Sequence, residues 1–179
     1  MAVPASILIL SGPPGAGKTT VARALAKASA APAVHMHTDD FYTAIRKGFI
    51  LPWLPESLQQ NTTVTRAIAA AAVEYAKGGY EVLLDGVVGP WFLDIYRQLA
   101  SPADIALDFV ALRPDAPTAV ARARDRQDAP IADYPMNMID GFADLGPFEP
   151  HVIDTTSLSV EAVMAAICEG RAAGQFRLD

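Results

Sequence analysis

Short apolar runs alternate along the chain with longer segments in which apolar residues recur every three or four positions. The short runs have too little polar alternation for a sheet with one wet face, so they predict buried strands. These strands are predicted at residues 6–10, 34–37, 81–84, 107–112 and 151–153. The longer segments predict helices at residues 18–30, 58–77, 91–99, 116–126 and 160–173. This alternation is typical of an α/β fold, with a parallel sheet between two layers of helices.

Three connections differ from short polar turns. Residues 48–57 and 86–91 are rich in proline and apolar side chains, and residues 127–138 contain Pro130 and Pro135. Because long loops on a rigid scaffold often carry function, we expect binding loops at these places. No repeat or dividing linker interrupts the pattern, which predicts one domain over residues 1–179 with a lid at about residues 122–138.

Composition narrows the class of protein. Apolar residues make up 51% of the chain and charged residues 19%, which excludes an intrinsically disordered chain. The formal net charge of −6 argues against nucleic acid as the main partner. The amino terminus lacks the basic start of a signal peptide, and the apolar stretch at residues 67–73 is too short to cross a membrane. We expect a soluble, cytoplasmic protein whose one cysteine, Cys168, is a small core residue.

Residues 12–19, with the sequence GPPGAGKT, match the pattern of a phosphate-binding loop between a strand and a helix. The glycines allow backbone N–H groups to surround phosphate oxygens, and the following helix points its positive end at the same anion. Lys18 is expected to contact the β- and γ-phosphates of ATP, and the Thr19 hydroxyl to bind Mg²⁺. The predicted nucleotide-binding residues here are Gly12, Pro13, Pro14, Gly15, Ala16, Gly17, Lys18, Thr19 and Thr20.

The other strand ends indicate which kind of P-loop protein this is. Neither asparagine, Asn61 or Asn137, begins the Asn-Lys-x-Asp motif with which GTPases read guanine. The third strand ends at Asp85, and Gly86 stands where motor ATPases carry a glutamate that orients water. Transfer to another acceptor is therefore favoured over hydrolysis. Asp85 is expected to bind Mg²⁺ directly or through water, although an ordinary turn aspartate before glycine is the alternative.

Asp39 and Asp40 follow the second strand, at the edge where a parallel sheet borders its ligand. A carboxylate there can take the proton of an acceptor hydroxyl. We favour Asp39 as this base and expect Asp40 to cap a short helix over residues 41–46. The alternative is that both aspartates only cap.

Phosphoryl transfer also needs positive charge near the phosphoryl group in the transition state. Arg122 and Arg126 lie four positions apart and share a predicted helix face, whereas Arg124 points elsewhere. We expect the first two to be catalytic. The alternative is a solvated cationic helix end that the helix dipole favours.

An acceptor pocket is predicted from aromatic and polar residues near the same strand ends. His35 and His37, two apart on a strand, are expected to be ordinary sheet side chains, because a metal site would need further ligands. Tyr42 is a further candidate for lining the pocket. The predicted substrate-binding residues are Asp40, Phe41, Arg46, Trp53, Asp85, Gly86 and Trp91.

The chain resembles the small P-loop kinases grouped with gluconate and shikimate kinases. It is most similar to the chloramphenicol phosphotransferase-like, zeta-toxin-related branch of AAA-domain proteins. The segments that carry the likeness are GPPGAGKTT, TDDF, LLDGVV, LRPDAPTAVARARDR and IDTTSLSVEAV. The resemblance implies a five-stranded sheet of order 2-3-1-4-5, with Asp39 as the catalytic aspartate and Arg122 and Arg126 as lid arginines. It also implies that Asp154, Thr155 and Thr156 pass beside the adenine.

The predicted function is an ATP- and Mg²⁺-dependent transfer of the γ-phosphate to a hydroxyl of a small molecule. Residues 48–57, which contain PWLP, match no gluconate or shikimate kinase motif, so those substrates are not carried over. A nucleic-acid end kinase and a catalytically silent nucleotide-binding module are the alternatives. The sequence leaves the acceptor and the oligomeric state open.

Overall fold

Five parallel strands form the central sheet of the computed structural model, which describes residues 5–125 and 139–178. The strands are β1 (Ser6–Ser11), β2 (Ala33–His37), β3 (Glu81–Asp85), β4 (Ala106–Leu112) and β5 (Val152–Ile153). Their order across the sheet is β2-β3-β1-β4-β5, and each neighbouring pair is parallel. The predicted strands and the order implied by the resemblance are confirmed.

Helices cover both faces of this sheet. They are α1 (Lys18–Ala28), α2 (Thr38–Thr43), α3 (Leu58–Lys77), α4 (Leu93–Ala100), α5 (Ala116–Arg124) and α6 (Val160–Ala172). Short 3-10 helices lie at Pro55–Ser57, Pro90–Phe92, Ser101–Ala103 and Gly146–His151. The bounds of α3 are those predicted, whereas α5 ends at Arg124, two residues before the predicted end, with Asp125 as its C-cap.

Alternate residues of β1 point into two separate cores. Ile7 and Ile9 pack in the core that contains α3 and α4, while Leu8 and Leu10 pack in the core that contains α1 and α6. All four side chains are at most 1% exposed. Burying each aliphatic side chain of this size contributes about 1.5–3 kcal/mol, so β1 is held from both faces.

Ion pairs close the amino-terminal edge of the sheet. Arg171 on α6 contacts Glu81 at 2.7 Å and Asp108 at 3.0 Å, and Arg177 contacts the other oxygen of Asp108 at 3.0 Å. Glu81 and Asp108 lie in the early parts of β3 and β4. The opposite, carboxyl-terminal edge is therefore the one available to ligands.

Two expectations from the sequence concern the burial of Cys168 and the crossing of a membrane. Cys168 is exposed on α6, so the prediction that it is a core residue is wrong; its neighbour Ile167 points inward instead. Within the described ranges, no helix combines the length and the apolar character needed to cross a membrane.

Candidate active site

A cavity of about 1380 Å³ opens at the carboxyl ends of β1, β2 and β3. One side of it is formed by the phosphate loop and the start of α1. The other side is formed by α2, by the connection between α2 and α3, and by the loop after β3. Two of the three predicted binding loops thus contribute to one cavity.

Glycines allow the phosphate loop to pack closely on the rest of the protein. Gly12 and Gly15 have φ angles of +137° and +79°, a region that side chains rarely adopt. A Cβ atom at Gly12 would collide with the carbonyl oxygen of Leu112, and one at Gly15 with that of Ala119. Gly17, with φ of +91°, is the N-cap of α1. The loop therefore needs glycine for its conformation and, at two positions, for space.

Lys18 folds back over this loop. Its Nζ atom donates hydrogen bonds of 2.9 Å to the carbonyl oxygens of both Gly12 and Pro13. These contacts hold the ammonium group against the loop that would bind phosphate. The predicted lysine is therefore positioned at the phosphate end of the cavity.

Asp85 lies fully buried at the end of β3, behind the phosphate loop. The Thr19 hydroxyl donates to one carboxylate oxygen at 2.6 Å, and His35 Nε2 lies 2.6 Å from the other. A hydroxyl and a carboxylate are ligands that Mg²⁺ accepts, usually together with water and substrate phosphates. Among the described residues, no cluster of three or more His, Cys, Asp or Glu side chains could hold a metal unaided. The donor set fits Mg²⁺ that is shared with a nucleotide.

His37 lies between two carboxylates. Its Nε2 atom is 3.7 Å from Asp85 Oδ2, and its Nδ1 atom is 3.9 Å from Asp39 Oδ2. The same Nδ1 atom accepts a hydrogen bond of 3.3 Å from the backbone N–H of Asp39. His37 is thus the N-cap of α2, and it fixes the residue predicted to be the base.

The predicted cap at Asp40 is wrong. Helix α2 begins at Thr38, three residues earlier than expected, so Asp40 lies in its first turn. Thr38 packs where a Cβ of Gly86 would be, and this close approach brings the start of α2 directly against the end of β3. Asp39 lines the cavity, whereas Asp40 does not.

Of the seven predicted substrate residues, Asp40 and Asp85 do not line the cavity, and the other five divide into two groups. Trp53, Gly86 and Trp91 line the cavity, as does Tyr42. Phe41 packs against the core that contains α3 and α4, and Arg46 is exposed outside the cavity. The expectation that these two residues line the pocket is therefore wrong: Phe41 faces the core from α2, and Arg46 lies beyond the end of that helix at Thr43.

Several cavity residues escaped the sequence analysis. Arg23 lies four residues after Thr19 on α1 and shares its face, a spacing that could have identified it. The apolar residues Phe49, Leu54 and Leu58 also line the cavity; the first two lie in the predicted binding loop at residues 48–57, but none of the three was singled out. Their contribution becomes visible only once the connection is folded.

Tyr42 lies beside the predicted base. Burial, and after it the negative charge of Asp39, raises the pKa of the Tyr42 phenol. The hydroxyl therefore stays protonated at neutral pH and is available as a hydrogen-bond donor inside the cavity.

A buried hydroxyl connects the two sides of the cavity. Ser11, the last residue of β1, donates a hydrogen bond of 2.6 Å from Oγ to the carbonyl oxygen of Val88. The same oxygen accepts one of 2.9 Å from the Val88 N–H. The loop after β3 is therefore attached directly to the strand that leads into the phosphate loop.

A second, smaller cavity of about 260 Å³ lies beside the phosphate loop. It is lined by Pro13 and by the predicted adenine-loop residues Asp154 and Thr156. Thr156 donates to Asp154 through its N–H at 2.9 Å and its hydroxyl at 2.6 Å, which lowers the pKa of Asp154. Thr155 is buried, and its hydroxyl has no hydrogen-bond partner among the residues that the structure describes. Two of the three predicted residues thus face this smaller cavity.

The arginines have different surroundings. Arg122 lines the large cavity and donates to the carbonyl oxygens of Thr155 and Thr156 at 3.1 and 3.2 Å. Arg124 is exposed near the end of α5. Arg126 and most of the predicted lid at residues 122–138 lie outside the described residues.

Arg113 forms a two-pronged ion pair with Glu149 next to the smaller cavity. The two N–O distances are 2.8 and 2.9 Å. Hydrogen bonds from Arg113, and then from the Leu145 N–H, lower the pKa of Glu149 to about 2. Arg113 also donates to the carbonyl oxygens of Phe142 and Ala143, so it organises the segment that borders the cavity.

Comparisons with known proteins find similarity to several kinases. A cytidylate kinase from Pyrobaculum calidifontis is 31% identical over 111 residues, which cover 60% of this chain and 60% of the relative. A sugar kinase from Janibacter sp. superposes with a TM-score of 0.71 at 18% identity, covering 93% of this chain and 94% of that one. A gluconokinase from Sinorhizobium meliloti gives a TM-score of 0.66 at 19% identity, covering 98% and 95%.

The structural matches, at these identities, show the fold alone, which is that of P-loop kinases. Similarity to the chloramphenicol phosphotransferase-like branch stays a prediction. A family model described as an AAA domain matches residues 7–144, most of the chain. The protein therefore belongs to the AAA domain family.

Proposed function

We propose that this protein transfers the γ-phosphate of ATP to a hydroxyl group of a small molecule. The observation that carries the proposal is one continuous cavity in which the phosphate loop, Asp39 and an aromatic wall face one another. A phosphate donor and a hydroxyl acceptor could both be held there, next to the carboxylate of Asp39. Reactions of this kind depend mainly on positioning and electrostatic stabilisation.

The phosphate loop and the smaller cavity together suit ATP. Backbone N–H groups and Lys18 would hold the phosphates, while Pro13 and Thr156 would border the base. When bound by Thr19 and Asp85, Mg²⁺ supplies positive charge that offsets the phosphate oxygens. Arg122, whose guanidinium is held by the carbonyl oxygens of Thr155 and Thr156, would add positive charge within the same cavity.

Asp39 is suited to act as the general base. Its side chain is 71% exposed, so an acceptor hydroxyl can reach it. The hydrogen bond from its N–H to His37 fixes the start of α2, and with it the position of the carboxylate. Asp39 would accept the hydroxyl proton as the acceptor oxygen attacks the phosphorus.

A nucleotide acceptor is the second candidate. The observation that favours it is the 31% identity to a protein named cytidylate kinase. A nucleic-acid end kinase and a silent nucleotide-binding module remain further alternatives. The net charge of −6 argues against the former, and the presence of Lys18, Thr19, Asp39 and Asp85 argues against the latter.

Replacement of Lys18 tests the nucleotide half of the proposal. Lys18→Ala removes a charged donor from the phosphate site, and charged hydrogen bonds contribute about 1.5–3 kcal/mol. We expect calorimetry to show affinity for ATP-Mg²⁺ reduced roughly ten- to hundredfold. Lys27→Ala, in the last turn of the same helix, is the matched control and should bind normally. Equal affinities in the two variants would refute the assignment.

The acceptor half is tested with labelled ATP. The protein is incubated with pools of small hydroxyl compounds, nucleoside monophosphates and oligonucleotides, and the labelled product is identified. Labelled hydroxyl compounds would support the proposal. Exclusive labelling of nucleotides or of oligonucleotide ends would replace it with the corresponding alternative.

A further inference from the structure

We infer that the acceptor is an uncharged molecule with an apolar body, which carries its hydroxyl toward Asp39. This inference rests on the proposed function and names its substrate class. It comes from the far side of the cavity, which we call the acceptor wall. The wall consists of Tyr42, Phe49, Trp53, Leu54, Leu58 and Trp91.

Exposed apolar surface is concentrated at this wall and at the neighbouring Val87. Ten large apolar side chains are exposed in the described part of the chain, and six of them line this cavity. Both tryptophans of the protein are among them, with Trp53 48% and Trp91 63% exposed. Contiguous apolar surface of this kind marks a place where another apolar group is bound.

The wall is a built surface, because side chains of the following helix hold its backbone. Ser57 Oγ lies 2.8 Å from the carbonyl oxygen of Pro52 and 2.7 Å from that of Leu54, and its one hydroxyl hydrogen is shared between these acceptors. Asn61 Nδ2 donates to the Pro52 carbonyl oxygen at 2.7 Å. These bonds fix the connection that carries Trp53 and Leu54 into the cavity.

The wall also lacks the charges that an anionic acceptor requires. Within the described residues, the cations that line the cavity are Lys18, Arg23 and Arg122. Lys18 and Arg23 come from the phosphate loop and α1, and Arg122 is held beside the adenine loop. A phosphate or carboxylate on the acceptor is normally met by paired N–H donors or arginine forks. The wall instead offers rings and aliphatic groups, with the Tyr42 hydroxyl and Asp39 at its inner edge.

Tryptophan fluorescence gives a direct test, since both tryptophans belong to the wall. The protein is titrated with phenylpropanol and cyclohexylmethanol, both neutral apolar alcohols, and separately with gluconate and CMP. We expect saturable fluorescence changes with the neutral alcohols at concentrations where the two anions cause none. The inference is overturned if either anion binds as tightly as the alcohols, or if neither alcohol gives a saturable change.

A pair of lysine substitutions locates the binding. Leu54→Lys places a charge on the wall, while Leu158→Lys places one at a similarly exposed site elsewhere, the exposures being 40% and 38%. We expect alcohol affinity to fall at least tenfold in the first variant and to stay unchanged in the second. Equal affinities in both would overturn the inference.

Calorimetry with ATP-Mg²⁺ on the same samples distinguishes a failure of the proposed phosphotransfer from a failure of the inferred acceptor class. Tight ATP binding together with a preference for CMP would refute the acceptor class and leave phosphotransfer standing. Alcohol binding without any ATP binding would refute phosphotransfer and leave the apolar site standing.

Discussion

The two ends of the large cavity are constructed differently. At the phosphate end, one contiguous segment, residues 12–19, acts through backbone groups whose positions depend on glycine. At the acceptor wall, side chains from α2, from the connection before α3 and from the loop after β3 come together. The first end suits phosphate groups, which all nucleotides share. The second end suits the particular acceptor.

This difference predicts how each end tolerates change. The phosphate loop depends on its backbone conformation, so any side chain that prevents this conformation should impair it. A wall of exposed side chains can be altered with little effect on folding, because surface substitutions usually change stability by less than about 0.5 kcal/mol. Specificity can therefore change at the wall while the phosphate end is retained.

The largest effect is expected at Asp39, where the two ends meet. Asp39→Asn keeps the size of the side chain but cannot take a proton, so turnover should fall by about 10²–10⁴-fold. Affinity for ATP should stay within a few-fold, because the phosphate end is untouched. Steady-state kinetics together with calorimetry provides the two measurements.

Asp40→Asn is the matched control, one residue further along α2 and outside the cavity. It should retain nearly normal turnover. A reversed result, with Asp40→Asn inactive and Asp39→Asn active, would move the base to Asp40. If both variants remain active, catalysis proceeds without a protein base.

A smaller effect is expected from two glycines of the phosphate end. Gly17→Ala introduces backbone strain alone, because nothing lies within 4 Å of the added Cβ, and such strain costs about 1–3 kcal/mol. Gly12→Ala adds a collision with the Leu112 backbone to its own strain, so it should lower the free energy of unfolding further. Urea denaturation of both variants measures the difference. A Gly12→Ala protein as stable as Gly17→Ala would contradict the packing described for the loop.

The smallest effect concerns pH and the ion pair beside the nucleotide end. The pKa of Glu149 is lowered, chiefly by Arg113, so the pair stabilises the fold above the ordinary carboxyl value near 4.5. This stabilisation is lost as pH falls toward about 2. Glu149→Gln should therefore be less stable than the parent at pH 7, with the gap narrowing below about pH 4.5. Denaturation curves across this range provide the check.

Arg113→Gln is the complementary background. Without its main partner, Glu149 should contribute far less to the free energy of unfolding. Glu149→Gln should then change the pH dependence of that free energy only slightly. An undiminished pH effect in that background would show that Arg113 is not the cause.

The phosphate end was predictable from sequence because its chemistry is local. The loop at residues 12–19 and Asp85 at the end of β3 follow from short patterns, and the structure places them together through the Thr19 hydrogen bond. The sheet order needed the resemblance, since strand alternation alone does not fix which strands are neighbours. Whether Asp39 is the base remains a prediction, although its position in the cavity agrees with it.

The errors arose where tertiary packing overrides local preference. Aspartate favours helix caps, which suggested Asp40, but the contact between Thr38 and Gly86 starts the helix earlier and gives the cap to His37. Phe41 was misplaced by the same shift, and Arg46 lies beyond the end of the helix. In the acceptor wall, Tyr42, Trp53 and Trp91 were predicted. Leu54 and Leu58 were not, because they reach the cavity through the folded backbone of the connection, which side chains of Ser57 and Asn61 hold.

The paired hydrogen bonds between Ser11 and Val88 bear on how two reactants could be brought together. Ser11 immediately precedes the phosphate loop, and Val88 lies three residues before Trp91. The separation between donor and acceptor positions on this side is therefore set when the chain folds. Two reactants that meet in water lose translational and rotational entropy when they react. Where the protein holds them at a fixed spacing, much of this entropy is lost earlier, when the protein folds and the reactants bind. Proximity is thus a property of the scaffold itself, to which one buried hydroxyl contributes beside the pairing of β1 with β3.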